Sequence, residues 1–154
     1  MQNEKPKASS KTAVAGLIAG VVAGGIGVGG FMAVAPGNSA LLFTMYGGFI
    51  AGGLLFGLLY DPLLKPIFKG KNEMARALTI LLLGWALFLA APIAIGMTPP
   101  EGIPLASDVL KLLISTRFAG LGITFAVFLV AGVLFGLLYE KGMGRAKSAT
   151  PPSA

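Results

Sequence analysis

Two tyrosine–acid pairs carry most of the chemistry this chain offers. Tyr60-Asp61 and Tyr139-Glu140 each close the same run, LFGLLYD at 55–61 and LFGLLYE at 134–140. Two carboxylates at two helix ends suit an ion entrance. A solvated rim is the favoured reading, since neither acid falls inside an apolar run. The chain has no histidine and no cysteine, which removes the commonest general base, the commonest metal and haem ligand, and the thiol nucleophile. No Ser–His–acid or Cys–His set can be assembled. A GxxxxGK[ST] phosphate loop is absent. The glycine run from Gly20 to Gly30 approaches a dinucleotide fingerprint, but it lies in an apolar stretch with no strand before it. Ligation through Asn38 or backbone groups is left open, so any cofactor is unknown. The expectation is a protein that is not an enzyme.

The elements that position these residues follow from composition. Hydrophobic residues make up 55% of the chain and charged residues 12%, about half the charged share of a soluble domain at roughly 25%. Four apolar segments, at 13–35, 40–60, 77–97 and 118–139, contain no Asp, Glu, Lys or Arg. Each approaches the ~20 residues that cross a bilayer core as a helix. Backbone groups in lipid must be satisfied within the segment, which selects helices. The alternating ten-residue strands of a barrel are missing. The expected fold is therefore an all-α integral membrane protein with four transmembrane helices. The net charge of +6 is not a nucleic-acid footprint, because the bases flank apolar segments without aromatic interleaving.

The connections differ. Residues 35–39, Ala-Pro-Gly-Asn-Ser, read as a tight turn with Ser39 as a helix cap. Asp61-Pro62 reads as the end of the second helix. Lys65, Lys69, Lys71 and Arg76 crowd the second loop. In the third, residues 107–116 read as a short helix between the third and fourth spans, either interfacial or folded back on the bundle. Residues 1–12 and 142–154 are expected to be flexible tails around a membrane domain at 13–141. The first segment, with its basic start and Ala33-Val34-Ala35, imitates a signal peptide, but its apolar run is too long and a retained helix is expected. Ten of the twelve Lys and Arg lie in the tails and the second loop. The positive-inside rule then places both termini in the cytoplasm of a cell-membrane protein.

Glycine is the strongest signal. Gly16, Gly20 and Gly24 recur every four residues, Gly25 and Gly29 form a second ridge, and Gly48–Gly52, Gly53–Gly57 and Gly132–Gly136 repeat the spacing. Small residues four apart let another helix approach closely, either within the chain or in a partner. Pro92 is expected to kink the third span. Trp85 sits too deep for an interface belt, so its indole N–H should seek a carbonyl or threonine hydroxyl. Thr44, Thr79 and Thr124 can satisfy themselves on their own helices. Tyr60 and Tyr139 are expected to act as interface anchors, with rings at headgroup level.

The twice-written ending reads either as a tandem repeat of two-helix units, with a pseudo-twofold axis along the membrane normal, or as convergence on a useful helix end. Through GLLFGLLYDPLL, GVLFGLLYEKG and the basic second loop, the chain resembles uncharacterised small four-helix bacterial inner-membrane proteins. That resemblance covers the spans and implies no activity. The functional expectation is an accessory, scaffold or assembly subunit of a membrane complex that acts by glycine-mediated helix packing. Its partners would be the lipid bilayer and other membrane subunits or a second copy. The alternative is a small transporter or channel subunit.

Overall fold

The computed structural model describes residues 10–68, 72–97 and 104–147, which form helices with no strand among them. Helix α1 spans Ser10–Val34, α2 Ser39–Leu59, α3 Lys65–Ile67, α4 Glu73–Met97 and α5 Pro104–Lys147. Four helical stretches are long and apolar enough to cross a membrane, the make-up of a multi-pass membrane protein. Large apolar side chains point outward, among them Phe43, Leu87 and Phe118. Water would penalise that surface, whereas lipid tails accept it.

Several boundaries differ from the sequence reading. Asp61-Pro62 does not end the second span. A π-turn over Tyr60–Leu64 carries the chain on into α3, and the Lys65 N–H closes it on the Tyr60 carbonyl. Pro62 has no N–H to donate, and the wider turn accommodates the lost bond. Ser39 is the first residue of α2 rather than its cap; Asn38 takes the cap position, without a side-chain cap bond. Helix already begins at Ser10, inside the stretch read as a tail, and Thr12 is buried. At the other end α5 continues to Lys147. Residues 1–9 and 148–154 of the expected tails, and Lys69 and Lys71 of the basic loop, lie outside the described residues. Helix α4 continues through Pro92 as one element.

Helix α1 is central and packs along both α2 and α5, while α4 packs along α5 and meets α2 through the Phe49 and Phe88 rings. Gly16 and Gly20 of α1 meet the backbone of Gly53, Gly57 and Phe49 of α2. A Cβ on Gly53 would lie 2.9 Å from the Gly20 Cα, and one on Gly57 would run into the Thr12 carbonyl. Such approach is open only to residues without a side chain. A Cβ on Gly24 would lie 2.9 Å from the Phe49 and Tyr46 side chains. Between α1 and α5, Gly27 receives Val127 and Gly30 receives Ile123; one number falls as the other rises, so these helices are antiparallel. Gly132 and Gly136 of α5 receive Leu78 and Met74 of α4.

Helix α5 breaks at Arg117, whose φ of 50° and ψ of −128° lie outside the helical region. The leg before it, 104–116, folds back on the bundle. Val109, Leu112 and Leu113 are buried in a cluster with Phe31 and Leu42. Asp108 and Lys111 form an exposed pair at 3.5 Å. The spacing of three buried positions along one helix face explains the docking.

Candidate docking cleft and polar latch

The four long helices form an open arc in the order α2, α1, α5, α4, because α2 and α4 do not pack backbone to backbone. The gap between them is a cleft of ≈ 430 Å³, floored by the small residues of α1 and walled by α2, α4 and α5. This size falls among ligand-binding pockets, which span about 300–1,000 Å³. The Phe49, Phe88 and Phe128 rings meet across it, with centroids 5.8–6.3 Å apart. Its polar group on α2 is the Thr44 hydroxyl, already donated to the Ala40 carbonyl at 3.0 Å. Such a lining accepts apolar matter and offers no coordination shell to an ion.

Gly48 and Gly52 line the same cleft, and a Cβ on either would meet nothing within 4 Å. Gly25 and Gly29 on α1 are open in the same way. The glycine ridges thus divide. Gly16, Gly20, Gly24, Gly53, Gly57, Gly132 and Gly136 are filled from within the chain, whereas Gly25, Gly29, Gly48 and Gly52 face outward or into the cleft.

One end of the cleft is tied by a polar latch. The Tyr139 hydroxyl donates to Asp61 Oδ1 at 2.7 Å and accepts from Lys65 Nζ at 2.8 Å. Lys65 Nζ also pairs with Glu73 Oε1 at 3.1 Å and stands 5.0 Å from the centre of the Tyr139 ring. Glu73 Oε2 accepts from the Tyr60 hydroxyl at 3.0 Å and from Arg76 Nη1 at 2.7 Å. Two acids and two bases are joined through two hydroxyls, so the assembly is neutral and links the ends of α2, α4 and α5. The π-turn brings Asp61 and Lys65 into it from one short stretch of chain.

Tyr60 and Tyr139 are buried at 0% and 4% exposure. Their rings turn inward, and they bind helix ends to each other. Tyr60 packs edge-on against Phe135 at 4.8 Å and Tyr139 at 5.1 Å. Glu73 was not anticipated from the sequence, although its signal was present. Asn72 caps the Met74 N–H at 2.9 Å, and an acid in the first turn of a helix suits its dipole. Deeper in the bundle, the Trp85 indole donates to the Thr124 hydroxyl at 3.1 Å, and Thr124 donates to the Leu121 carbonyl at 3.0 Å.

The contacts between α2 and α5 follow one offset. Phe49 meets Phe128, Phe56 meets Phe135 and Tyr60 meets Tyr139; the members of each pair are seventy-nine residues apart. Gly53 and Gly57 serve the packing of α2 on α1, and their counterparts at that offset, Gly132 and Gly136, serve the packing of α5 on α4. Compared with protein families, with curated proteins and with solved structures, the chain matches none.

Proposed function

We propose that this chain is a non-enzymatic accessory or assembly subunit of a membrane complex, and that it receives an apolar helix of a partner subunit, or of a second copy, in the α2–α4 cleft. The observation that carries this reading is the pair Gly48 and Gly52, four residues apart on the cleft wall, where a Cβ would meet nothing within 4 Å among the described residues. In lipid, close packing on small residues is a principal source of helix association. The apolar lining supports a helix or another apolar occupant more than a solute path.

The chain is built, in this reading, from two two-helix units, α1–α2 and α4–α5, related by a pseudo-twofold axis along the membrane normal. The shared offset of the ring pairs and of the packing glycines supports it. Such an axis would make α4 pack on α2 as α1 packs on α5. The first is reduced to the meeting of the Phe49 and Phe88 rings and the second is made along the helices, so the cleft is the loosely filled counterpart of an interface the chain uses elsewhere. Both termini lie in the cytoplasm, following the basic residues, and the 104–116 leg lies at the opposite face.

The test is purification of the full chain from its native membrane in mild detergent, with G48L/G52L in parallel. Both positions are open, so the variant keeps its own fold. Wild type should carry a stoichiometric membrane partner, or a second copy, that the variant lacks. A wild-type monomer, or a variant that keeps its partner, overturns the proposal. Solute flux through a self-associated particle would move the assignment to a transporter or channel.

A further inference from the structure

A second groove opens where α1 begins and α5 ends, and nothing in the latch or the cleft involves it. It has a volume of ≈ 820 Å³ and is lined by Ser10, Lys11, Val14 and Ile18 on α1 and by Leu138 and Lys141 on α5. Antiparallel packing through Gly27–Val127 and Gly30–Ile123 brings these ends side by side. Two lysines from distant parts of the chain therefore share the mouth of one groove. Neither takes part in the ion pairs formed among the described residues, which engage Lys65, Arg76 and Lys111. Glu140 precedes Lys141 but does not line the groove. Below the lysines the wall is apolar and, among the described residues, uncovered, with Val14 52% and Ile18 42% exposed.

We infer that this groove is a binding site for an anionic phospholipid, with the phosphate between Lys11 and Lys141 and an acyl chain along Val14, Ile18 and Leu138. Charge complementarity selects the headgroup, and basic pockets between membrane helices at one face of the bilayer bind such headgroups. The apolar wall selects a lipid over a free anion. From Lys11 to Ile18 the helix descends about 10 Å, which takes the wall from headgroup level into the hydrocarbon. The occupant belongs to the leaflet in which both helix ends stand. The inference rests on α1 and α5 crossing a bilayer and not on a partner in the α2–α4 cleft, so either can fail alone.

The test is native mass spectrometry of the full chain in mild detergent, titrated with phosphatidylglycerol, phosphatidylcholine or glycerol 3-phosphate. Wild type should retain one phosphatidylglycerol in preference to phosphatidylcholine. K11Q/K141Q should bind phosphatidylglycerol about thirty-fold more weakly, at about five-fold per lysine. K111Q, at the opposite end of the bundle, should bind as wild type does. K11R/K141R should restore binding, and thermal melts without lipid should show all variants equally folded. Equal retention of the two lipids would leave only apolar adhesion and overturn the inference. So would an unaffected K11Q/K141Q, or complete competition by glycerol 3-phosphate, which would identify a site for free anions.

Discussion

Gly52 and Gly53 are neighbours in sequence, yet adding one methyl group to each should have opposite effects. A Cβ at Gly53 would sit 2.9 Å from the Gly20 Cα and 3.1 Å from its nitrogen, and would press on the Gly16 carbonyl. Those atoms are backbone and have no rotamer to change. Restoring ordinary contact at about 3.5 Å or more requires α1 and α2 to separate by over half an ångström along a seam that other glycines also use. Overpacking of this kind costs about 1–3 kcal/mol. A Cβ at Gly52 meets nothing within 4 Å, and replacing a mid-helix glycine by alanine gains roughly 0.5–1 kcal/mol. That gain is common to both positions, so Gly53→Ala and Gly52→Ala should differ by the overpacking cost, about 1–3 kcal/mol.

Thermal unfolding in detergent micelles, followed by helical circular dichroism, reads that difference. At about 2–4 °C per kcal/mol for a chain of this size, Gly53→Ala should melt several degrees below Gly52→Ala, which should melt at or above wild type. Coincident melts of the two variants would refute the account of α1–α2 association through backbone contact.

Three further outcomes are expected. Tyr139→Phe removes the hydroxyl shared by Asp61 and Lys65 and should cost about 1–3 kcal/mol, whereas Tyr60→Phe leaves Glu73 with Lys65 and Arg76 and should cost about 0.5–1.5 kcal/mol; a larger loss for Tyr60→Phe in the same melts would refute the ranking. Arg117→Gly should gain up to about 1 kcal/mol by relieving the positive φ, while Arg117→Ala removes the same charge and keeps the strain; equal melts would show that the bend stores nothing. Reporters fused after Ala154 and between Lys69 and Lys71 should report one side of the membrane and a reporter at Gly102 the other; agreement between the Lys71 and Gly102 fusions would break the four-span threading.

The helices were legible because their signal is local. An uncharged apolar run near twenty residues has few alternatives in lipid, and the four runs correspond to α1, α2, α4 and the second leg of α5. Self-satisfaction of Thr44 and Thr79 was legible for the same reason, since each donates to the carbonyl four residues back. What the sequence hid depends on distance. Asp61-Pro62 looks like a helix end by local rules, and only the π-turn, held by contacts to α4 and α5, keeps the chain helical. Tyr60 and Tyr139 carry the composition of interface anchors, but composition does not record which way a ring turns. Glu73 lies in a basic loop, and its pairing with Lys65 and the Tyr60 hydroxyl exists only once three helix ends converge. Gly48 and Gly53 belong to indistinguishable four-residue spacings, and their division into open and filled is a property of the arc.

That division bears on why one ending occurs twice. Two parallel helices related by a twofold axis along their length must present equivalent residues to each other, so a repeat confers self-complementarity on the seam. In the proposed two-unit arrangement, Phe56 against Phe135 and Tyr60 against Tyr139 would be such meetings, with centroids 4.8 and 5.1 Å apart. Residues of this bulk hold α2 and α5 apart, while the glycines one residue beyond each phenylalanine, Gly57 and Gly136, draw each helix onto its own sequence neighbour, α1 or α4. The heptapeptide therefore does two jobs at once, a spacer toward its counterpart and a close-packing seat for the preceding helix. Strict symmetry would next close α4 on α2. On the α1–α5 side the seam presents Gly27 and Gly30, which accept Val127 and Ile123; on the α2–α4 side it presents Phe88 to Phe49, with centroids 6.3 Å apart. A ring in place of a glycine cannot admit a neighbouring helix as closely, so the second contact stays open while the latch fixes its end. An arc held at one end and spread by phenylalanines along its length is the geometry on which the proposed assembly role rests.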